Sequence, residues 1–408
     1  MGWRLTEIEL SAPLQPIVLN SDEEGVGLIA RLDDELVGFA MVPLAAGSTL
    51  SAADLHKLAE ERFSWSVLSA RAGKSLRARW GEEPAAPAPT LTLAICTKDR
   101  AARLGRLLAA LVAVRETSPF AATEILVVDN APSDESTREA VERLDNIRYV
   151  REPKAGLDFA RNTALASATG DYLAFLDDDV VVDRHYLRGL YRAWRGAPDA
   201  GGFTGLVLPY KLETEAQVCF ERGGGFGRGF IRTDFATERY GNALHPVGAG
   251  ILGAGCNMCF DRRLLNEIGG FDDALDTGAP LPGGGDLDIF YRVLRSGRRM
   301  VYEPTYAVYN EHRETLEQLT RQYWTWGLGF TAFLTKCRRT DPALRRRHAA
   351  MVWWWVLDRL AAIARSGLRG RTRELGFAWA EFKGGVQGAF GEYDRSIRRS
   401  AAIAEAHA

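Results

Sequence analysis

The chain has 408 residues, 46% hydrophobic and 25% charged, which suits one large domain with additions or two domains and shows no general bias towards disorder. A net charge of −2 supplies no global basic field and so argues against nucleic acid as a partner. Arg exceeds Lys and Ala is abundant, a composition that points to a GC-rich bacterial genome.

The cysteines (Cys96, Cys219, Cys256, Cys259 and Cys337) are sparse and odd in number, so the expected compartment is a reducing cytosol. The N-terminus lacks the apolar core of a signal peptide. The longest apolar run, Ala349 to Leu357, ends at Asp358-Arg359 and falls short of the roughly 18 residues a membrane span needs.

Composition divides the chain into residues 1–80, a linker at 81–89, a central region at 90–314 and a C-terminal extension at 315–408. The first part reads as a small β-rich unit. Gly25 to Arg31 and Glu35 to Val42 are strand-like and joined by the turn formers Asp33-Asp34, and a helix starts near Ser51 as N-cap. The linker holds three prolines in nine residues.

The central region then alternates strands and helices, the pattern of a mainly parallel sheet covered on both faces. Leu91 to Cys96 is a buried-type strand, followed by a helix with Leu104, Leu107, Leu108 and Leu111 on one stripe. Strands follow at Ile125 to Val128 and Ile147 to Val150, with a helix over Thr137 to Leu144 between them. A helix over Leu157 to Ala168 leads into a strand over Asp171 to Leu176. Further strand-like runs are Phe203 to Leu208, Cys256 to Phe260 and Met300 to Glu303.

Beyond about residue 315 the sequence is helical and basic: ten Arg against two acids, Asp341 and Asp358, lie between Arg338 and Arg373, with Trp353-Trp354-Trp355 among them. Packing on the central region, with Arg stems at the edges, is the favoured reading, since the Trp run covers nearly every helix face. An interfacial membrane contact is the other.

The strongest chemical signal is Phe175-Leu176-Asp177-Asp178-Asp179, acids that end an apolar strand where ligands of open α/β sheets gather. In extended chain Asp177 and Asp179 share one side and Asp178 takes the other. Clustered like charges need compensation. Mg²⁺ or Mn²⁺ together with a diphosphate provides it through hard oxygen ligands. Two earlier strand ends are also polar: Thr97-Lys98-Asp99-Arg100 and Asp129-Asn130, where a carboxylate can accept bonds from a ribose or a base. Cys256-Asn-Met-Cys259 lacks the second pair of a zinc site and reads as buried thiols on an acceptor-side strand. Gly223-Gly-Gly-Phe-Gly-Arg-Gly and the segment starting at Thr277 read as acceptor-side loops.

Thr97-Lys-Asp-Arg, Val127-Val-Asp-Asn, Gly156-Leu-Asp-Phe-Ala-Arg-Asn, Leu176-Asp-Asp-Asp and Gly285-Asp-Leu-Asp-Ile-Phe-Tyr-Arg, in this order, resemble the family 2 inverting glycosyltransferases. The likeness runs from about Leu91 to Arg313. It implies a GT-A type, Rossmann-like mixed sheet with flanking helices, and transfer of a sugar from a nucleoside-diphosphate donor, most often a UDP-sugar, to an acceptor hydroxyl. It also implies Thr97, Asp99, Arg100, Asp129 and Asn130 at the nucleotide, with Arg161 on a bordering helix. Asp177 and Asp178 would contact the sugar nucleotide, and Asp177 and Asp179, with Mn²⁺ or Mg²⁺, the diphosphate. His312 would stand near the cation, a commoner earlier His being replaced by Asn310.

Residue chemistry alone divides the catalytic base evenly between Asp286 and Asp288; the resemblance favours Asp286, with Asp288 bracing the next helix. Family members commonly have Glu-Asp where this chain has Gly285-Asp286, so a non-catalytic sugar-nucleotide- or carbohydrate-binding subunit is the alternative. A sugar nucleotidyltransferase would need a glycine-rich, lysine-bearing loop after the first strand, which Leu91 to Arg100 lacks. The expected location is cytoplasmic or peripheral at the inner face of the cell membrane, and a homo-oligomer is compatible with the sequence.

Overall fold

The computed structural model describes residues 2–80, 87–236, 238, 242–275 and 281–407. Most of the 81–89 linker and the start of the loop at Thr277 therefore lie outside the described residues. In chain order the strands and helices begin with β1 (Gly2–Glu9), β2 (Ile17–Val18), β3 (Glu23–Leu32), β4 (Glu35–Pro43), β5 (Thr49–Leu50) and α1 (Ala52–Trp80). Next come β6 (Thr90–Thr97), α2 (Ala101–Arg115), β7 (Ala122–Asn130), α3 (Ser136–Glu142), β8 (Ile147–Glu152), α4 (Leu157–Ser167), β9 (Tyr172–Asp177) and β10 (Val180–Val182). They are followed by α5 (Tyr186–Arg195), β11 (Gly202–Pro209), α6 (Glu215–Arg222), β12 (Thr233–Phe235), β13 (Asn257–Asp261), α7 (Arg262–Glu267), α8 (Gly285–Arg295) and β14 (Met300–Asn310). The chain closes with α9 (Leu316–Thr340), α10 (Arg345–Leu368), α11 (Thr372–Ala389) and α12 (Glu392–Ala406).

The first strands form a three-stranded sheet in the order β1-β3-β4. Asp33 and Asp34 turn its hairpin at φ +50° and +68°, a left-handed pair that short polar side chains tolerate. Ser51 accepts from the Asp54 amide at the start of α1, as an N-cap should. β1, which has no clear alternation, was not foreseen; it pairs parallel to β3. This small sheet is seated on the central region by a bridge from Trp3 to Leu212 and by Arg31. The Arg31 guanidinium is buried against Asp183, whose carboxylate also accepts from Tyr309, while Glu7 takes the Arg31 Nε at 2.8 Å.

The central sheet runs β10-β14-β11-β13-β9-β6-β7-β8, with β12 on β14. β8, β7, β6 and β9 are mutually parallel; β13 is antiparallel to both β9 and β11, and β11 is parallel to β14. It is the mixed, Rossmann-like α/β sheet expected. β6, β9 and the second half of β7 are buried on both faces, which is why they read as continuous apolar runs, whereas β8 at the edge is half-exposed. Leu104, Leu107, Leu108 and Leu111 of α2 are fully buried against them.

The C-terminal helices are packed closely. A Cβ at Gly384 of α11 would overlap the Trp324 carbonyl of α9, so the contact depends on a bare backbone. Of the Trp run, Trp355 is buried between Phe330 and Phe382, whereas Trp353 and Trp354 face outward. The run is thus divided, one Trp packed inside and two exposed.

Candidate active site

Register brings the polar strand ends together. Thr97 is the pairing partner of Asp129 across β6 and β7, and Cys96 that of Asp177 across β6 and β9. The carboxyl edge of adjacent parallel strands therefore presents Asp129, Thr97 and Asp177 in a row, where α/β sheets bind ligands.

Asp177, Asp178 and Asp179 then diverge. Asp178 turns under the edge, buried, and accepts from Thr97 Oγ1 at 2.8 Å and Arg100 Nη1 at 2.9 Å. Asp177 and Asp179 face a cavity of about 880 Å³. Arg161 Nη2 lies 3.9 Å from Asp177, and its Nη1 donates to the fully buried Asp158 at 3.0 Å. β10 pairs antiparallel to β14, which sets Asp179 beside Asn310; the Asn310 amide donates to Asp179 Oδ1 at 3.0 Å. Burial, reinforced by the Asp178 charge, pushes the Asp179 carboxyl above the ordinary range, with Arg313 at 4.0 Å opposing.

His312 is buried and spends both ring nitrogens inside the protein. Nδ1 is 2.9 Å from Asn310 Oδ1 and Nε2 is 2.6 Å from Glu221 Oε1. Because Asn310 donates to Asp179 through its amide nitrogen, its oxygen accepts, so Nδ1 carries a proton. The expectation of His312 as a direct cation ligand is not what the geometry presents: the ring backs Asp179 through Asn310. No group of three or more His, Cys, Asp or Glu able to hold a metal occurs among the described residues.

Asp286 lies in the first turn of α8 and lines the same cavity. Its Oδ1 accepts from the Leu287 amide at 2.8 Å. Asp288, one turn face away, is buried and bound at 2.7 Å by both Arg292 and Lys336; it braces α8 against α9. Gly283 and Gly284 before the helix adopt φ +127° and +109°, and a Cβ at Gly284 would come within 3.0 Å of the Gly329 carbonyl of α9. The glycine run permits that close approach.

Of the residues expected at the nucleotide, Arg161 lines the cavity, whereas Thr97, Asp99, Arg100, Asp129 and Asn130 lie outside its walls. Asp129 is buried, accepts from Tyr149 at 2.9 Å on Oδ2 and leaves Oδ1 without a partner. Burial raises its pKa despite the Tyr149 bond, and the Tyr149 hydroxyl is itself pushed up to about 12 by burial and by Asp129. Asp99, at φ +54°, is exposed and accepts from both the amide and hydroxyl of Ser133 at 2.8 Å, which lowers its pKa. Asn130 donates to the Lys154 carbonyl and accepts from the Gly156 amide, so its side chain holds the loop before α4 instead of pointing to a ligand. Asp178, expected at the sugar nucleotide, accepts from Thr97 and Arg100 beneath that edge.

Sequence reasoning missed the far wall. Trp326 and Phe330 of α9, Trp354 of α10 and Glu381 of α11 line the cavity; Phe226 and Arg228, in the glycine-rich loop that the sequence did point to, line it too. An apolar helix face looks the same in sequence whether it lines a core or a cavity. Cys256 also lines the cavity, whereas Cys259 lies fully buried in the sheet; burial raises both thiols and keeps them uncharged.

A mixed sheet with three polar strand ends at its carboxyl edge and an acid-lined cavity beside them defines the class by fold: a GT-A type α/β sheet. The comparisons agree. Residues 92–214 match the family model Glycosyl transferase family 2, and residues 172–369 match Glycosyl transferase family group 2. Over these two stretches the chain is similar to the family 2 glycosyltransferases.

Among curated relatives, the pre-mycofactocin glycosyltransferase of Mycobacterium tuberculosis is 25% identical over 291 residues, covering 69% of this chain and 56% of that protein. The succinoglycan biosynthesis protein ExoM of Rhizobium meliloti is 30% identical over 206 residues, covering 48% of this chain and 62% of that one. The chain thus spans less than two thirds of the length of these relatives. A solved structure, the mannosyltransferase PcManGT from Pyrobaculum calidifontis in complex with GDP-Man and Mn²⁺, has a TM-score of 0.46 and 17% identity over 81% of this chain and 90% of that one.

Proposed function

We propose that the protein is an inverting, cation-assisted glycosyltransferase that moves a sugar from a nucleoside-diphosphate donor, in the first instance a UDP-sugar, to an acceptor hydroxyl. The observation that carries this reading is the placement of Asp177, Asp179 and Asp286 around one cavity beside the polar strand ends.

Asp129, with its buried unpartnered oxygen, accepts from the base, and Asp99 and Arg100 border the nucleoside. Thr97 and Asp178 hold that edge in place, and Asn130 holds the loop leading to α4. Arg161 faces the donor beside Asp177. Asp177 and Asp179 suit Mn²⁺ or Mg²⁺, which bind few protein carboxylates and complete their shells with phosphate oxygens. Asp179 fits this role on its own geometry: it is largely buried, raised in pKa by that burial and by the Asp178 charge, and offset by Arg313 at 4.0 Å, by Arg100 and Arg103, and by the Asn310 amide. Such a cation, when bound, offsets the charge of the departing diphosphate. His312 and Glu221 keep Asn310 oriented behind Asp179.

Asp286 takes the proton of the acceptor hydroxyl as its oxygen forms a bond to the anomeric carbon. The bond from that carbon to the diphosphate breaks in the same step and its electron pair leaves with the nucleoside diphosphate. One in-line displacement turns an α-linked donor into a β-linked product. Residues 90–314 carry the donor half of this chemistry, residues 315–408 wall the acceptor side, and residues 1–80 are an attached unit.

The test is release of nucleoside diphosphate from UDP-sugars, with Mn²⁺ and with chelator, by the whole chain. Cation-dependent release supports the reading. A chain that binds UDP without releasing it from any sugar nucleotide is a binding subunit, and the reading fails.

A further inference from the structure

We propose that the outward face of α10 lies on a membrane surface carrying anionic headgroups, so that the acceptor enters the cavity from the lipid side. The second clause rests on the reading of the cavity as the transfer site; the first does not.

α10 is two-sided. Met351 and Trp355 face inward and are buried. Trp353, Leu357, Leu360 and Leu368 fall on one stripe of the opposite side, and Trp353 is 68% and Leu368 89% exposed. An apolar stripe of this kind facing water is costly unless something covers it. Both ends of the helix are cationic: Arg345, Arg346 and Arg347 open it, and Arg365, Arg369 and Arg371 lie at or just beyond its end, all exposed. Among the described residues, Arg346, Arg365, Arg369 and Arg371 take part in no ion pair, and the acid within the helix, Asp358, is held by Arg359.

The sign of the flanks selects the occupant. A second copy laid on this stripe, in either direction, would set Arg clusters against Arg clusters, and like charges across an interface repel. An anionic lipid surface instead meets the Arg guanidinium groups at headgroup level while Trp353, Leu357 and Leu360 enter the acyl boundary. No described helix is long and apolar enough to cross a membrane, so the contact is one of lying on the surface.

The cavity reaches the same side. Trp354 is half exposed and also lines the cavity, next to Phe330 and Met351; Ile251, exposed at its rim, lines it as well. Trp354, Phe330 and Met351 thus line the same cavity as Asp286, which suits an acceptor with a hydroxyl at one end and an apolar arm at the other.

Co-sedimentation of the full chain with vesicles of phosphatidylcholine alone, and of phosphatidylcholine with phosphatidylglycerol, tests this. The expected result is pelleting with the phosphatidylglycerol vesicles that weakens as salt rises. Trp353→Ser with Leu357→Ser, and separately Arg365→Gln with Arg369→Gln, should each weaken it by about tenfold or more while leaving the thermal midpoint and UDP release in solution unchanged. None of these four residues lines the cavity. Failure of the unaltered chain to pellet, equal pelleting of the variants, or an unaltered chain that is a dimer where the Trp353→Ser with Leu357→Ser variant is a monomer would each overturn the proposal. Loss of UDP release with vesicle binding intact would instead count against the transferase reading alone.

Discussion

Thr97, at the end of β6, donates its hydroxyl to Asp178 at 2.8 Å, tying the nucleotide-side strand end to the aspartate turn that follows β9. The bond is buried, and Arg100 adds a charged contact to the other carboxylate oxygen at 2.9 Å. The middle acid of the Asp177–Asp179 series is thus a tether, and its neighbours are the ones offered to the cavity.

Asp178→Ala should therefore act on both halves of the site without touching substrate. It leaves a buried hydroxyl and a guanidinium unmatched, which costs about 1–3 kcal/mol. Denaturant unfolding should show that loss, and calorimetry with UDP should show affinity reduced about tenfold. Asp178→Asn, which keeps an acceptor for Thr97, should recover part of both.

Asp129 sets a pH dependence with a definite sign. Its carboxyl must be ionised to accept from a base N–H, and burial holds its pKa above the usual carboxylate value. UDP affinity should consequently decline on acidification beginning at a higher pH than an ordinary aspartate, near 4, would give. In Asp129→Asn the affinity should be lower by about tenfold at neutral pH and the early decline should be absent. Titration calorimetry across pH measures both.

Asp179 is raised in the same direction by burial and by the Asp178 charge, so its ionised form opposes folding when nothing binds it. A group raised in this way lowers stability as pH climbs through its folded-state pKa. Asp179→Asn should raise the melting midpoint of the cation-free protein, by roughly 1–2 °C for each kcal/mol recovered. The same variant should lose the Mn²⁺-dependent part of UDP binding. A thermal-shift series with and without Mn²⁺ reads both effects together.

Arg31 of β3 joins the N-terminal sheet to the central region through Asp183, while Glu7 of β1 holds the same guanidinium from within its own sheet. Arg31→Ala leaves Asp183 buried with only the Tyr309 hydroxyl and the His185 amide, and breaking such a pair costs about 3–5 kcal/mol. Chemical denaturation should show that loss. Asp183→Asn with Arg31→Met, which removes both charges, should be markedly less destabilised.

Much of this architecture was legible because local rules and tertiary packing agree. The buried parallel strands could only be apolar runs, the α2 stripe of Leu104, Leu107, Leu108 and Leu111 is buried as its spacing required, and Asp33-Asp34 turns the hairpin that its composition suggested. Asp286 and Asp288 were separable only through the family resemblance; the structure shows the physical difference, one facing the cavity and the other held by Arg292 and Lys336. Asn130, Asp178 and His312 carry the residue types of ligands, yet their partners are remote in sequence or supplied by backbone, and no motif records that. β1 escaped notice for a related reason: its pairing with β3 is parallel and its outer edge meets Leu212, contacts that leave no alternation to read.

The most direct measurement is the transfer rate of Asp286→Asn on saturating donor and acceptor, alongside its UDP-sugar affinity. A general base contributes about 10²–10⁴-fold, so turnover should fall by that order while donor binding stays within a factor of about two. Turnover retained within tenfold would contradict the account and move the base away from Asp286.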